Sequence, residues 1–210
     1  MRLNTYKYCR ISKRQYFKFA TFIIAIDKSG SMGDTNDYAG KTRWAYAQET
    51  TEAIARKASQ YDEDGITVCT FANGVNIYDN TTPEKVTQIF NENEPNGATN
   101  TALLLDKLFE RYLANPAKPQ IIVIVTDGEA TDNNAVIKSI VEFTKKQTEE
   151  TVSLLFLQIG KEAKAKEFLE MLDDNLKEKH GAMYDMVDCK TCDQIGEMML
   201  ADVFMQAILD

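Results

Sequence analysis

Compact apolar runs alternate along this chain with longer stretches of helical spacing. The first run, Phe19 and Phe22-Ile23-Ile24-Ala25-Ile26, predicts a strand over about Lys18 to Ile26, apolar on both faces as in a parallel sheet. Trp44, Ala47, Thr51, Ile54 and Ala58 then keep one stripe, which predicts a helix from about Thr42 to Gln60. After the turn Asp62-Glu63-Asp64-Gly65, Ile66 to Phe71 reads as the second strand. Asn73-Gly74 reads as a hairpin turn into a short antiparallel edge strand, Val75 to Tyr78. Thr82-Pro83-Glu84 starts a helix with proline at its first position, running to about Asn91. A third helix spans about Thr101 to Leu113, with Leu104, Leu105, Leu108 and Tyr112 inward. The fourth strand is Gln120 to Thr126, and a helix follows from Asn133 to Gln147. Val152 to Ile159 is the fifth strand, and the next helix covers about Lys161 to Lys179. A sixth strand is expected at Ala182 to Val187 and a last helix at Cys192 to Leu209. This alternation predicts one α/β domain around a doubly wound, mostly parallel sheet, with helices on both faces.

The stretch Asp27-Lys28-Ser29-Gly30-Ser31-Met32 follows directly on the first strand. Open parallel sheets bind ligands where strands end at their carboxyl edge. Asp27, Ser29 and Ser31 place hard oxygen donors there at alternate positions, the type that Mg²⁺ and Ca²⁺ prefer. Gly30 and Gly33 let the backbone turn tightly enough for those side chains to converge. Gly97-Ala98-Thr99-Asn100-Thr101 and Thr126-Asp127-Gly128-Glu129 are two further donor-bearing segments.

Together the three segments resemble the metal-ion-dependent adhesion site of the von Willebrand factor type A (VWA) family, in order and in spacing. The likeness extends from about Phe19 to the C-terminus and is nearest to stand-alone bacterial members, not to animal adhesion receptors. The resemblance implies the strand order 3-2-1-4-5-6 in a six-stranded sheet with strand 3 antiparallel. It implies that Ser29, Ser31 and Thr99 contact a metal directly, and that Asp27 and Asp127 act directly or through water. It also implies that the domain binds a protein and is not an enzyme. The expected ion is Mg²⁺, or another divalent cation such as Mn²⁺ or Ca²⁺. Near-octahedral oxygen at ~2.1 Å suits three neutral hydroxyls plus waters, and few charged ligands keep the ion electrophilic. A partner protein is then expected to supply a Glu or Asp carboxylate to the open position. The alternative is a structural or regulatory subunit of a larger assembly, ATPase- or stress-associated, that does not need the metal. Each residue also has an ordinary role when taken singly. Asp27 could cap a turn, Ser29 and Ser31 could bond backbone, Thr99 could cap a helix, and Asp127-Gly128 could be a plain turn. Asp34 and Asp37 read as solvated loop acids, and Glu129 and Asp132 as acids at a helix start.

Several catalytic readings fail on spacing. Gly40-Lys41-Thr42 looks like the end of a phosphate-binding loop, but the position five residues before Gly40 is Thr35. Asp27 lacks the second aspartate two residues on that a phospho-aspartyl enzyme of the haloacid-dehalogenase type would use; Ser29 stands there. His180 is the sole histidine and precedes Gly181 in a helix C-cap pattern, far from any nucleophile. Cys189 and Cys192 form a lone C-x-x-C, read as two ordinary thiols because a zinc site wants about four ligands.

Composition bounds the rest. At 210 residues one domain is expected, and 44% hydrophobic residues suffice for its core. Six basic and no acidic side chains stand in residues 1–19. The remaining body holds 18 basic against 32 acidic side chains, a net of −14, which argues against nucleic acid as the main partner. Residues 1–18 are read as a basic extension and residues 19–210 as the domain. The arm and Phe17 to Ile26 have the order of a secretory signal, but no cleavage site follows and cutting there would remove the first strand. No apolar stretch reaches the ~18 residues of a membrane span. The four cysteines lack framework spacing, so a reducing cytoplasm is the expected compartment.

Overall fold

The computed structural model describes residues 20–38, 40–61, 65–128, 130–147 and 151–192. The strands are β1 (Thr21–Asp27), β2 (Ile66–Phe71), β3 (Val75–Thr81), β4 (Gln120–Thr126), β5 (Val152–Gln158) and β6 (Val187–Thr191). The helices are α1 (Arg43–Ala58), α2 (Pro83–Glu92), α3 (Thr101–Ala114), α4 (Asn133–Thr144) and α5 (Ala163–His180). The strands join in one sheet of order β3-β2-β1-β4-β5-β6, parallel except for β3. This is the expected doubly wound fold.

The period of two along each central strand builds two cores. Phe22, Ile24 and Ile26 of β1 and Ile121, Val123 and Val125 of β4 face α1 and α2. Ile23, Ala25, Ile122 and Ile124 face α3, α4 and α5. Burial on both faces explains why β1 and β4 read as unbroken apolar runs. On the α1 face Trp44 packs on Phe90 at 4.5 Å between ring centres, and on the other Phe109 stacks on Phe143 at 4.1 Å. Helix ends follow local chemistry. Thr42 and Asp132 accept the amides of Ala45 and Ala135 as N-caps, and Gly181 closes α5 at φ 78°.

The C-terminal region differs from expectation. The sixth strand is Val187–Thr191, not Ala182 to Val187. Ala182, Tyr184 and Met186 do point into the core, but the ladder with β5 starts only at Leu154 opposite Val187. Asp185 holds the Val187 amide at 3.2 Å at that entry. The first strand starts at Thr21 within the described residues, and β3 runs on to Thr81 past an irregularity between Ile66 and Val68. The last expected helix lies outside the described residues beyond Cys192, as does the basic arm.

Candidate metal centre

The order in which successive strands join the sheet reverses between the parallel neighbours β1 and β4, since β2 and β3 lie on one side of β1 and β4 to β6 on the other. The crevice such a reversal opens lies beyond the carboxyl ends of β1 and β4. Asp27 ends β1 there and is fully buried. One of its oxygens accepts the Ser29 amide at 2.8 Å, and the other accepts the Thr126 hydroxyl of the neighbouring strand at 2.7 Å. Burial pushes the Asp27 carboxyl up to about 6; the Thr126 hydrogen bond works against this and the charge of Asp127 adds to it.

Beyond Asp27 the chain turns through a short 3-10 segment, Gly30–Gly33, anchored by buried Met32. The turn brings the Ser29 and Ser31 hydroxyl oxygens to 3.1 Å, with Ser29 buried and Ser31 open to solvent. Two oxygens at ~2.1 Å from one ion and at right angles are about 3.0 Å apart, so this pair has the spacing of an octahedral edge.

The loop carrying Thr99 is bonded to the first loop. The Asn96 amide donates to the Lys28 carbonyl at 2.7 Å and the Gly30 amide to the Gly97 carbonyl at 3.0 Å. Asn73 in the β2–β3 turn accepts the Ala98 amide at 2.9 Å. The Thr99 carbonyl in turn accepts the Thr131 amide from the loop after β4, at 2.9 Å. Thr99 is buried and is not the cap of α3; Asn100 fills that role through the Leu103 amide. Asp132 is the expected acid at the start of α4, exposed and capping; Glu129 lies outside the described residues.

Asp127 follows Thr126 and is also buried, but its partner is a cation. Arg43 donates to it from Nη1 at 3.0 Å. The same guanidinium donates from Nε to Asp37 at 2.6 Å and from Nη2 to Glu162 at 2.7 Å. Asp37 is therefore not the solvated loop acid expected from sequence; its side chain is 12% exposed because it is folded inward onto Arg43. Sequence reasoning also missed Thr126, Arg43 and Glu162. Thr126 had a signal, being the hydroxyl that precedes the acid at the end of β4. Arg43 had a weaker one, standing four residues before Ala47 on the buried stripe of α1.

The structure thus links Asp27 to the Ser29 amide and the Ser29 hydroxyl to that of Ser31, and backbone hydrogen bonds tie the loop of Thr99 to the first loop and to the loop after β4. Among the described residues no three His, Cys, Asp or Glu side chains are grouped to hold a metal. A cation here would rest on hydroxyls, and this all-oxygen donor set fits a hard divalent ion. The C-x-x-C pair offers no reactive thiol at Cys189, which burial and then Asp173 push up to about 12.

Residues 22–129 match the family model described as the von Willebrand factor type A domain. No curated protein matches the chain by sequence. Among solved structures it is similar to manganese-loaded TRAP protein from Plasmodium vivax, at 14% identity and TM-score 0.61, covering 90% of this chain and 74% of that one. It is similar to a von Willebrand factor type A protein from Catenulispora acidiphila, at 16% identity and TM-score 0.61, covering 90% of this chain and 43% of that one. It is also similar to the PilB minor pilin from Streptococcus sanguinis, at 15% identity and TM-score 0.61, covering 90% and 61%. The chain spans less than two thirds of the last two. At these identities the likeness shows the fold.

Proposed function

The chain belongs to the von Willebrand factor type A domain family, and from that premise we propose that it is a non-catalytic module that holds a partner protein through a divalent cation. The observation that carries this reading is the pair of serine hydroxyls 3.1 Å apart next to a buried aspartate, with two other loops bonded alongside. Ser29, Ser31 and Thr99 would hold Mg²⁺ or Mn²⁺, and Asp27 and Asp127 would supply charge. When bound, such an ion offers Lewis acidity toward an anionic oxygen. Among the described residues Asp27 accepts hydrogen bonds from neutral donors and has no cationic partner, whereas Asp127 is already paired with Arg43. The chain therefore leaves positive charge on an ion uncompensated, and a Glu or Asp of the partner would complete it. A manganese-loaded structure and a minor pilin among the similar folds support a cation and a protein-binding role. Among the described residues Cys69 and Cys189 carry free thiols, which suit a reducing compartment such as the cytoplasm.

A second reading has its own observation. Both oxygens of Asp27 are satisfied within the chain, and Asp127 has its arginine. A module that keeps this fold as a structural or regulatory subunit, with no metal, is built on the same bonds. Manganese titration of the chelator-stripped chain, followed by electron paramagnetic resonance, separates the two. The expected result is one Mn²⁺ per chain, lost in Ser31→Ala. A glutamate-rich peptide added next should lower water-proton relaxation as a carboxylate replaces bound water. A folded chain that takes up no Mn²⁺ would favour the metal-free reading.

A further inference from the structure

Arg43 occupies a place that ordinary helix chemistry disfavours. It is the first residue of α1, where the helix dipole is positive, and it is 3% exposed. A buried guanidinium there is retained only by partners that offset its charge. Three carboxylates do so, and they come from three different segments of the carboxyl edge. Asp37 comes from the loop before α1, Asp127 from the end of β4, and Glu162 from the loop before α5. The arrangement is held from behind. Gln158 donates from Nε2 to the Glu162 carbonyl at 3.2 Å, and the Gly160 amide donates to the Tyr38 hydroxyl at 2.8 Å. Gly160 has φ 85°, and a Cβ there would stand 2.9 Å from Arg43 Nε, so backbone shape and the guanidinium both disfavour a side chain at this position.

Resting on the cation-binding reading above, we infer that Arg43 is a positioning residue that sets the charge of the cation site: it engages one oxygen of Asp127, neutralises that carboxylate, and keeps the site from binding its ion as tightly as two free aspartates would. The consequence concerns the partner. A site with one carboxylate already spent on an internal arginine retains an ion weakly alone and gains most from an added carboxylate. Glu162 and Asp37 compete with Asp127 for the same guanidinium, so they tune how fully Asp127 is neutralised. Of these, Glu162 is the adjustable partner, because its side chain is 55% exposed while Asp37 and Asp127 are enclosed.

The competition gives opposite signs for substitutions at two residues that touch each other. Arg43→Gln removes the internal cation and should tighten Mn²⁺ binding roughly tenfold, the size of one unit charge acting at short range between protein and water. Glu162→Gln leaves Arg43 with one rival fewer and should weaken Mn²⁺ binding about two- to threefold. Arg43→Lys keeps the charge without the fork and should stay within about threefold of the parent chain. Each variant of the full chain is titrated with MnCl₂, and circular dichroism checks its fold. A merely structural arginine would shift all three variants in one direction, toward weaker binding. A folded Arg43→Gln chain with unchanged or weaker Mn²⁺ affinity overturns the inference. If Arg43→Gln does not fold, Arg43→Met, a neutral side chain of similar length that packs in an apolar setting, takes its place, and unchanged or weaker Mn²⁺ binding there overturns the inference. A parent chain that binds no Mn²⁺ beside an Arg43→Gln chain that does would uphold the inference and overturn the cation-dependent function. Absence of binding in both would overturn both.

Discussion

Asp27 and Asp127 end adjacent strands at the same edge of one sheet, and both are buried, yet they are kept in opposite ways. Asp27 is held by neutral donors, an amide and a hydroxyl, that stabilise its charge without cancelling it. Asp127 is held by a guanidinium that does cancel it. The cost of the first arrangement is visible in the carboxyl pushed up to about 6, chiefly by desolvation. The difference teaches that two similar acids in a similar place can divide the labour. One side of the crevice is left short of positive charge, and the other is closed by a bond within the chain.

The largest way to break this comparison is to remove its unpaired half. Asp27→Ala should abolish Mn²⁺ binding in calorimetry and leave a folded domain by circular dichroism, because Asp27 caps the sheet edge and the apolar cores lie behind it. Unfolding would mark Asp27 as a structural residue first. The pH dependence sharpens the same point. Asp27 has a folded pKa near 6 against an ordinary 3.8, so its protonated form stabilises the fold below about pH 4 and that contribution is lost as pH rises through 6. In chelator the loss amounts to about 3 kcal/mol at most, from the size of the shift. Asp27→Asn should remove that pH dependence, read as the difference between the two denaturation curves from pH 4 to 8. A saturating cation reverses the sign, since it needs the carboxylate ionised, and Mn²⁺ affinity should fall about tenfold per unit below pH 6. On the paired side, Gly160→Ala should cost about 1–3 kcal/mol in urea denaturation, from a left-handed φ and a collision with Arg43. A cost near zero would mean that the arginine cluster yields easily.

The same contrast explains what could be read in the sequence. β2 and β4 are legible to the residue because a strand buried on both faces is apolar or β-branched through its length, and a turn residue or proline bounds each at its start. Strand order was legible only through family resemblance, since no pattern along one strand names its neighbour. β6 was displaced because Ala182, Tyr184 and Met186 alternate like a strand, whereas the segment that actually pairs carries Asp188 and Lys190 on an edge. In the site, Asp27, Ser29, Ser31, Thr99 and Asp127 stood out because each closely follows an apolar run or precedes a helix. The Arg43 cluster did not, because an ion pair between residues 84 apart in sequence leaves no local periodicity. Asp37 reads as a solvated acid because nothing along the loop shows that it folds onto Arg43.

The smallest effect tests whether the third loop needs to be held in place at all. Asn73 is exposed, lies in the β2–β3 turn and is none of the proposed ligands, yet it accepts the Ala98 amide, one residue before Thr99. Its amide group also packs on Gly97, where a Cβ would come within 2.9 Å of Nδ2 at φ 93°. Asn73→Ala removes one hydrogen bond at the surface, worth about 1 kcal/mol. If Thr99 works by being positioned in advance, part of that energy must instead be found by the ion, and Mn²⁺ affinity should fall by roughly two- to fivefold. Asn73→Asp keeps an acceptor at the same place and should recover most of it. Stability lowered with Mn²⁺ affinity unchanged would mean that the hydrogen bonds from Asn96 and Gly30 suffice to fix the loop, and that the aspartate and the serines dominate the site without help from Thr99.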